Sequence, residues 1–96
     1  MKLVYSRQAL ADLDEIATYY SASASPAIAQ SIERRLSEVI DRICRAPKAA
    51  PRVSQRSQIR VVAVIRYPFR IFYRVHDDTV DILHIRHTSR RPLAGR

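Results

Sequence analysis

The chain has 96 residues, 47% of them hydrophobic and 27% charged, which is the composition of one folded globular domain rather than of a disordered segment. Its single glycine, Gly95, and single cysteine, Cys44, exclude a glycine-rich phosphate loop, a dinucleotide fingerprint, an internal disulfide and a paired-cysteine zinc site, so no cofactor and no metal are expected. The formal net charge of +8 points to an acidic partner, either nucleic acid or an acidic protein segment; the plainer alternative is that the charge only keeps a small protein soluble.

Taken in order, Lys2-Leu3-Val4-Tyr5 reads as a short first strand, followed at once by the possible helix cap Ser6. From Arg7 to Tyr20 the apolar residues Leu10, Leu13, Ile16, Ala17 and Tyr20 recur at spacings of three and four, which predicts an amphipathic helix with Asp12, Asp14 and Glu15 away from its buried stripe. Ser21 to Ala24 form the predicted connector. Ser25-Pro26 then has the form of an N-cap with proline at the first helical position, and Ala29, Ile32, Leu36, Val39, Ile40 and Ile43 make a second stripe that Ala46-Pro47 ends. So short a connector predicts an antiparallel helical hairpin, at about 7–46. The stretch after it, Pro47 to Gln58, is polar, basic and without a period, and is expected to be a mobile loop.

Three short runs rich in β-branched and aromatic residues occupy about 59–87, broken by Tyr67-Pro68 and by Asp77-Asp78-Thr79, and they predict an antiparallel meander. In the middle run Phe69, Ile71, Tyr73 and Val75 alternate with Arg70, Phe72, Arg74 and His76, so one face should pack and the other carry charge. The charge is concentrated here. Through Arg45 six basic residues balance six acids, whereas beyond it Lys48 and ten arginines face only Asp77, Asp78 and Asp81. A basic tail, 88–96, completes the expected single domain, 1–96. The fold class is α+β, in the order strand, helix, helix, strand, strand, strand, with a helical hairpin on a small sheet and the first strand pairing with a member of the meander. No apolar run is long enough for a signal peptide or a membrane span, so a cytoplasmic location and no membrane partner are expected.

Several groups of residues carry a more specific likeness. They are Ala9-x-x-Asp12-Leu13-x-x-Ile16-x-x-Tyr19 in the first helix, Ser25-Pro26-x-x-Ala29 and Pro47 at the ends of the second, Arg66-Tyr67-Pro68-Phe69-Arg70-Ile71-Phe72-Tyr73-Arg74-Val75, and the ending from Ile82 through His84, Arg86 and His87 to Arg90-Arg91-Pro92. Together, over nearly the whole chain, they resemble the RelE/ParE superfamily of bacterial type II toxin–antitoxin toxins. That resemblance implies a growth-inhibiting toxin, held inactive in a hetero-oligomer by a cognate antitoxin encoded beside it.

The superfamily has two modes of action, and the resemblance leaves the target open between DNA gyrase, poisoned by ParE-like members, and ribosome-bound mRNA, cut by endonuclease members. Arg70 matches the strand arginine that stabilises phosphate in the endonucleases, and His87 near the chain end is the better candidate for proton transfer there, with His84 second. These two catalytic assignments hold only if the chain is an endonuclease. Its sole lysines are Lys2 and Lys48, where endonucleases cluster lysines near the second strand, and an arginine is a poor general acid. The ending His87-Thr88-Ser89-Arg90-Arg91-Pro92 is also more similar to ParE-like chains. The gyrase mode is therefore favoured, with mRNA cleavage as the alternative and a simple nucleic-acid-binding module as a third. Candidate target- or phosphate-binding residues are Arg60, Arg66, Tyr67, Arg70, Arg86, Arg90 and Arg91. The plain alternatives are a solvated strand-face arginine at Arg70 and an edge-packing ring at Tyr67.

Overall fold

The computed structural model describes residues 1–88. In it β1 (Lys2–Tyr5) leads into α1 (Arg7–Ser23) and α2 (Pro26–Arg45), followed by β2 (Ile59–Val64), β3 (Phe69–His76) and β4 (Thr79–His87). The four strands form one sheet in the order β1-β4-β3-β2, antiparallel within the meander, with β1 parallel to β4. The two helices lie against one face of this sheet, and among the described residues no element covers the other.

Both helix starts follow from side-chain caps. Ser6 Oγ accepts from the Ala9 N–H at 2.9 Å, and Ser25 Oγ accepts from Ile28 N–H at 3.2 Å, with Pro26 in the first turn where it forfeits no hydrogen bond. All six residues of the expected α2 stripe are buried. Five of them, all but Ala29, pack with Phe69, Ile71, Tyr73, Val80, Ile82 and Ile85 into the core. Each large apolar side chain buried there contributes about 1.5–3 kcal/mol before conformational entropy is counted.

The first helix departs from expectation in two ways. It continues one turn past Tyr20 to Ser23, because alanine and serine do not stop a helix and the first breaker is Pro26. It is also rotated. Leu10 is 54% exposed while Ala9 is fully buried, and the inward stripe is Ala9, Asp12, Leu13, Ile16 and Tyr20. The cause is polar: Asp12, expected on the solvent side, turns Oδ2 toward the sheet and accepts the Ile85 N–H at 2.9 Å. β1 ends at Tyr5, leaving the rest of the β4 edge without a strand. Ser6 Oγ donates to the Leu83 carbonyl at 2.8 Å and Asp12 takes the Ile85 amide, so the start of α1 completes the pairing that β1 does not reach. A register shift opposite Phe72 and Tyr73, with Leu83 as the extra residue on β4, accompanies this change of partner.

The stretch from Pro47 to Gln58, expected to be mobile, is tied to the sheet at several points. Arg60 Nη1 donates to the carbonyls of Lys48 and Ala50 at 3.2 and 2.6 Å, and the Tyr73 hydroxyl donates to the Pro47 carbonyl at 2.6 Å. Arg52 forms an isolated antiparallel bridge to Arg60, with Val53 N–H on the Ile59 carbonyl and Val61 N–H on the Pro51 carbonyl.

Candidate functional site

Strand register decides which side chains share the open face. Paired residues on neighbouring strands project to the same side, so the buried Phe69, Ile71 and Tyr73 mark the helix side and their alternates mark the open one. Arg70 is flanked by Ala63 on β2 and Arg86 on β4, and the next row is Val61, Phe72 and His84. Two exposed guanidiniums thus stand on directly opposed residues, an arrangement that disfavours folding because like charges repel across the strands. Neither makes an ion pair or hydrogen bond among the described residues. The acid of this face, Asp81, is engaged further along the hairpin: its Oδ2 lies 2.7 Å from His76 Nε2 and 3.4 Å from Arg74 Nη2. Phe72 and His84 meet edge to face at 6.5 Å beside the arginine pair.

The other expected site residues divide. His87 is paired with Phe69 and contacts its ring edge to face at 5.5 Å, so it projects to the helix side of the sheet, opposite Arg70. The structure therefore does not bring Arg70 and His87 together. Successive residues of an uninterrupted stretch of strand project to opposite faces, and Arg86 and His87 are adjacent. The histidine on the Arg70 side is His84. Arg60 likewise lies on the helix side, opposite Tyr73, with its guanidinium holding the 47–51 loop. Tyr67 is half-buried and packs against the core. Arg66 is exposed in the β2–β3 turn with φ of 86°, a left-handed conformation that costs a side chain with a Cβ about 1–2 kcal/mol relative to glycine. Arg90 and Arg91 lie outside the described residues.

Phe72 is the residue of this face that was read from sequence only as part of an alternation. Its role beside Arg70 and His84 becomes visible once the β3–β4 register is known. Shifts in acidity occur elsewhere. Burial raises the pKa of Tyr73, against the opposing influence of Arg60, and burial followed by the neighbouring Cys44 and Asp41 raises that of Tyr5. Burial and Asp41 push the Cys44 thiol up as well, which makes it less reactive. No cluster of histidine, cysteine and acidic side chains suited to a metal ion occurs among the described residues. None of the described helices is long and apolar enough to cross a membrane.

Comparison with known proteins bears on the whole of this architecture. The structure is similar to that of a chain from the chromosomal ParDE toxin–antitoxin system of P. aeruginosa, with a TM-score of 0.82, 28% identity, and coverage of 93% of this chain and 97% of that one. It shares its fold with the YoeB/ParE toxin from Agrobacterium tumefaciens (TM-score 0.63, 18% identity, 91% and 98% covered). The same holds for a chain of the intact E. coli RelBE toxin–antitoxin complex (TM-score 0.58, 14% identity, 94% and 98% covered). A search of curated proteins by sequence found no significant match. The family described as "ParE toxin of type II toxin-antitoxin system, parDE" matches residues 3–92. With the helical hairpin, the mixed four-stranded sheet and the arginine-bearing open face in place, the chain belongs to the ParE toxin family of type II toxin–antitoxin systems.

Proposed function

We propose that this toxin, when free of its antitoxin, stops growth by poisoning DNA gyrase, with the open sheet face and the β2–β3 turn as its target-binding surface. The observation that carries the reading is the opposed pair Arg70 and Arg86: two exposed cations set side by side at a cost to stability, with no acid to neutralise them among the described residues. Groups kept in an unfavourable arrangement on a surface are best accounted for by something they bind. Arg66, held at positive φ in the adjoining turn, and the Phe72–His84 pair extend the surface. Arg90 and Arg91 are proposed to add charge to it. Binding by cations and an aromatic requires no proton transfer, in keeping with a poison that has no hydrolytic chemistry of its own.

Similar chains come from toxin–antitoxin systems, including a RelBE complex, and we infer a cognate antitoxin as the second partner of this one. The test is a gyrase supercoiling and DNA-cleavage assay with the purified chain, titrated with antitoxin. Inhibition or trapped cleavage complexes, relieved by antitoxin and lost in Arg70→Ala with Arg86→Ala, support the reading. Full gyrase activity in the presence of folded chain that is still toxic in cells overturns it.

One observation favours a second reading. His84 lies on the same face as Arg70 and Arg86, so a group able to move a proton stands beside two able to hold a phosphate. As an mRNA endonuclease the chain would use His84 in place of His87. Ribosome-dependent cleavage that disappears in His84→Ala and persists in His87→Ala is the expected result for that mechanism.

A further inference from the structure

Side chains that share the open face fall in rows two residues apart along the strands, a spacing of about 6.5 Å. The first row holds Arg70 and Arg86 beside Ala63, the second Val61, Phe72 and His84, and the third Ile59, Arg74 and Asp81. Their chemistry differs. In the first row two exposed guanidiniums stand on paired residues with no acid to answer them among the described residues. In the third the cation is already answered, since Asp81 Oδ2 lies 3.4 Å from Arg74 Nη2 and 2.7 Å from His76 Nε2. Between these rows lies a half-exposed aromatic, Phe72, with the His84 ring 6.5 Å away and turned by 83°.

A ligand complementary to this order carries one anion that two guanidinium forks can grip and, one row further on, a flat ring. A phosphodiester with its two non-bridging oxygens is such an anion, and the base of the same nucleotide is such a ring. We propose that the open face binds a single strand of DNA, with one phosphate between Arg70 and Arg86 and the adjoining base stacked on Phe72. The inference deepens the gyrase reading above and rests on it for the choice of DNA; the contacts themselves rest on strand register and charge.

Several features select this occupant. A base inside a duplex is stacked on its neighbours and has no free face to give Phe72, whereas an unpaired one has. The third row is unsuited to a backbone that runs on across the sheet, because Asp81 meets its next phosphates as a like charge. Arg70, Phe72, His84 and Arg86 all stand on β3 and β4, the two inner strands of the order β1-β4-β3-β2. A peptide gains most from a sheet at its edge, where main-chain groups are free, while the middle of a face offers only side chains, which are what a phosphate and a base require. The edge-to-face contact with His84 holds the Phe72 ring before any ligand arrives, so little freedom is lost on binding.

The experiment uses the full chain without gyrase. Fluorescence anisotropy over a range of salt concentrations follows a labelled oligothymidylate, its duplex with oligoadenylate, and the matching oligouridylate, and an aminopurine base placed in the DNA strand reports stacking by its quenching. Expected for the wild type are tighter binding of the single strand than of the duplex, and quenching on binding. Phe72→Leu, which keeps an apolar side chain, should lose the quenching and about tenfold in affinity with the fold retained by circular dichroism. Arg70→Gln with Arg86→Gln should lower the log–log salt slope by about 0.7, the share of one phosphate on a single strand. Arg56→Gln, which removes an exposed cation of the 47–58 loop, should leave the quenching and the slope unchanged. The wild-type comparison stands without any variant. Equal binding of single strand and duplex, or an equal effect of Arg56→Gln and the Arg70 and Arg86 replacements, overturns the strand-binding face by reducing it to net charge, and tighter binding of oligouridylate overturns the choice of DNA. Chain that binds no strand yet still traps gyrase cleavage complexes overturns this inference alone and leaves the face to the gyrase protein. Strand binding by chain without effect on gyrase overturns the gyrase reading instead.

Discussion

Removing one carboxylate from α1 tests how the helical hairpin is held on the sheet. Asp12 Oδ2 accepts the Ile85 N–H at 2.9 Å in a half-buried position, and Oδ1 accepts from Gln8 Nε2 at 2.9 Å on the surface. A hydrogen bond to a charged acceptor contributes about 1.5–3 kcal/mol, and truncation also leaves the Ile85 amide facing the helix without a partner. The exposed contact with Gln8 adds at most about 0.5 kcal/mol, and alanine recovers a similar amount through its better helix propensity. Asp12→Ala should therefore destabilise the chain by about 2 kcal/mol. For a domain of this size that is a fall in thermal midpoint of roughly 10 °C. Asp12→Asn keeps an acceptor without the charge and should fall between the two. Urea denaturation followed by circular dichroism, with exchange of the Ile85 amide as a local probe, measures both. An Asp12→Ala variant as stable as the wild type, with Ile85 still protected, would refute the assignment of this bond as the clamp between α1 and β4.

Three further outcomes follow from the structure. Arg66→Gly relieves the positive φ and should raise stability by about 1 kcal/mol while weakening target inhibition, measured by thermal melts and the gyrase assay. Arg86→Glu replaces repulsion opposite Arg70 with attraction and should raise stability by about 0.2–1 kcal/mol, again with loss of inhibition. At alkaline pH the raised pKa values of Tyr73, Tyr5 and Cys44 mean that the folded state holds these protons more tightly than the unfolded chain. Their contribution is complete below the ordinary thiol value of 9.0 and tyrosine value of 10.0, and is lost as pH rises through that range toward the folded values. Urea midpoints measured from pH 8 to pH 11 should fall, and less steeply in Tyr73→Phe.

Much of the fold was legible in the sequence because periodicity reports burial directly. The α2 stripe, the alternation along β3 and the Ser6 and Ser25-Pro26 caps are local patterns, and all appear where expected. The rotation of α1 was not legible. Leu10 looks like a core residue by spacing, and only a partner 73 positions away, the Ile85 amide, makes an aspartate the inward residue instead. The site follows the same division. Arg70 and Arg86 could be named from composition and strand alternation, but their direct opposition depends on the β3–β4 register, which the irregularity at Phe72 and Tyr73 sets. His87 joins Arg70 only through the resemblance to endonuclease members that carry an acid or base near the chain end, and strand alternation puts the two on opposite faces. Charge alone groups Arg60 with the target-binding cations, while its guanidinium is committed to the carbonyls of Lys48 and Ala50.

The position of β4 in the sheet has a consequence for how the molecule comes into being. It is the last of the described strands, yet it lies between β1 and β3, and its register runs Lys2 with Thr79 and Tyr5 with Ile82. Pairings of such long sequence separation close late, since nearly the whole chain must be ordered before they are rewarded. During synthesis Ile82 and Ile85 emerge after the other described core residues, so the growing chain can nucleate its helical hairpin but cannot complete this core until β4 has been made. The opposed pair of Arg70 and Arg86 is assembled only at that final step. A member of a toxin family thus acquires its cationic face last, after its helical hairpin and the β2–β3 pair have had the chance to form.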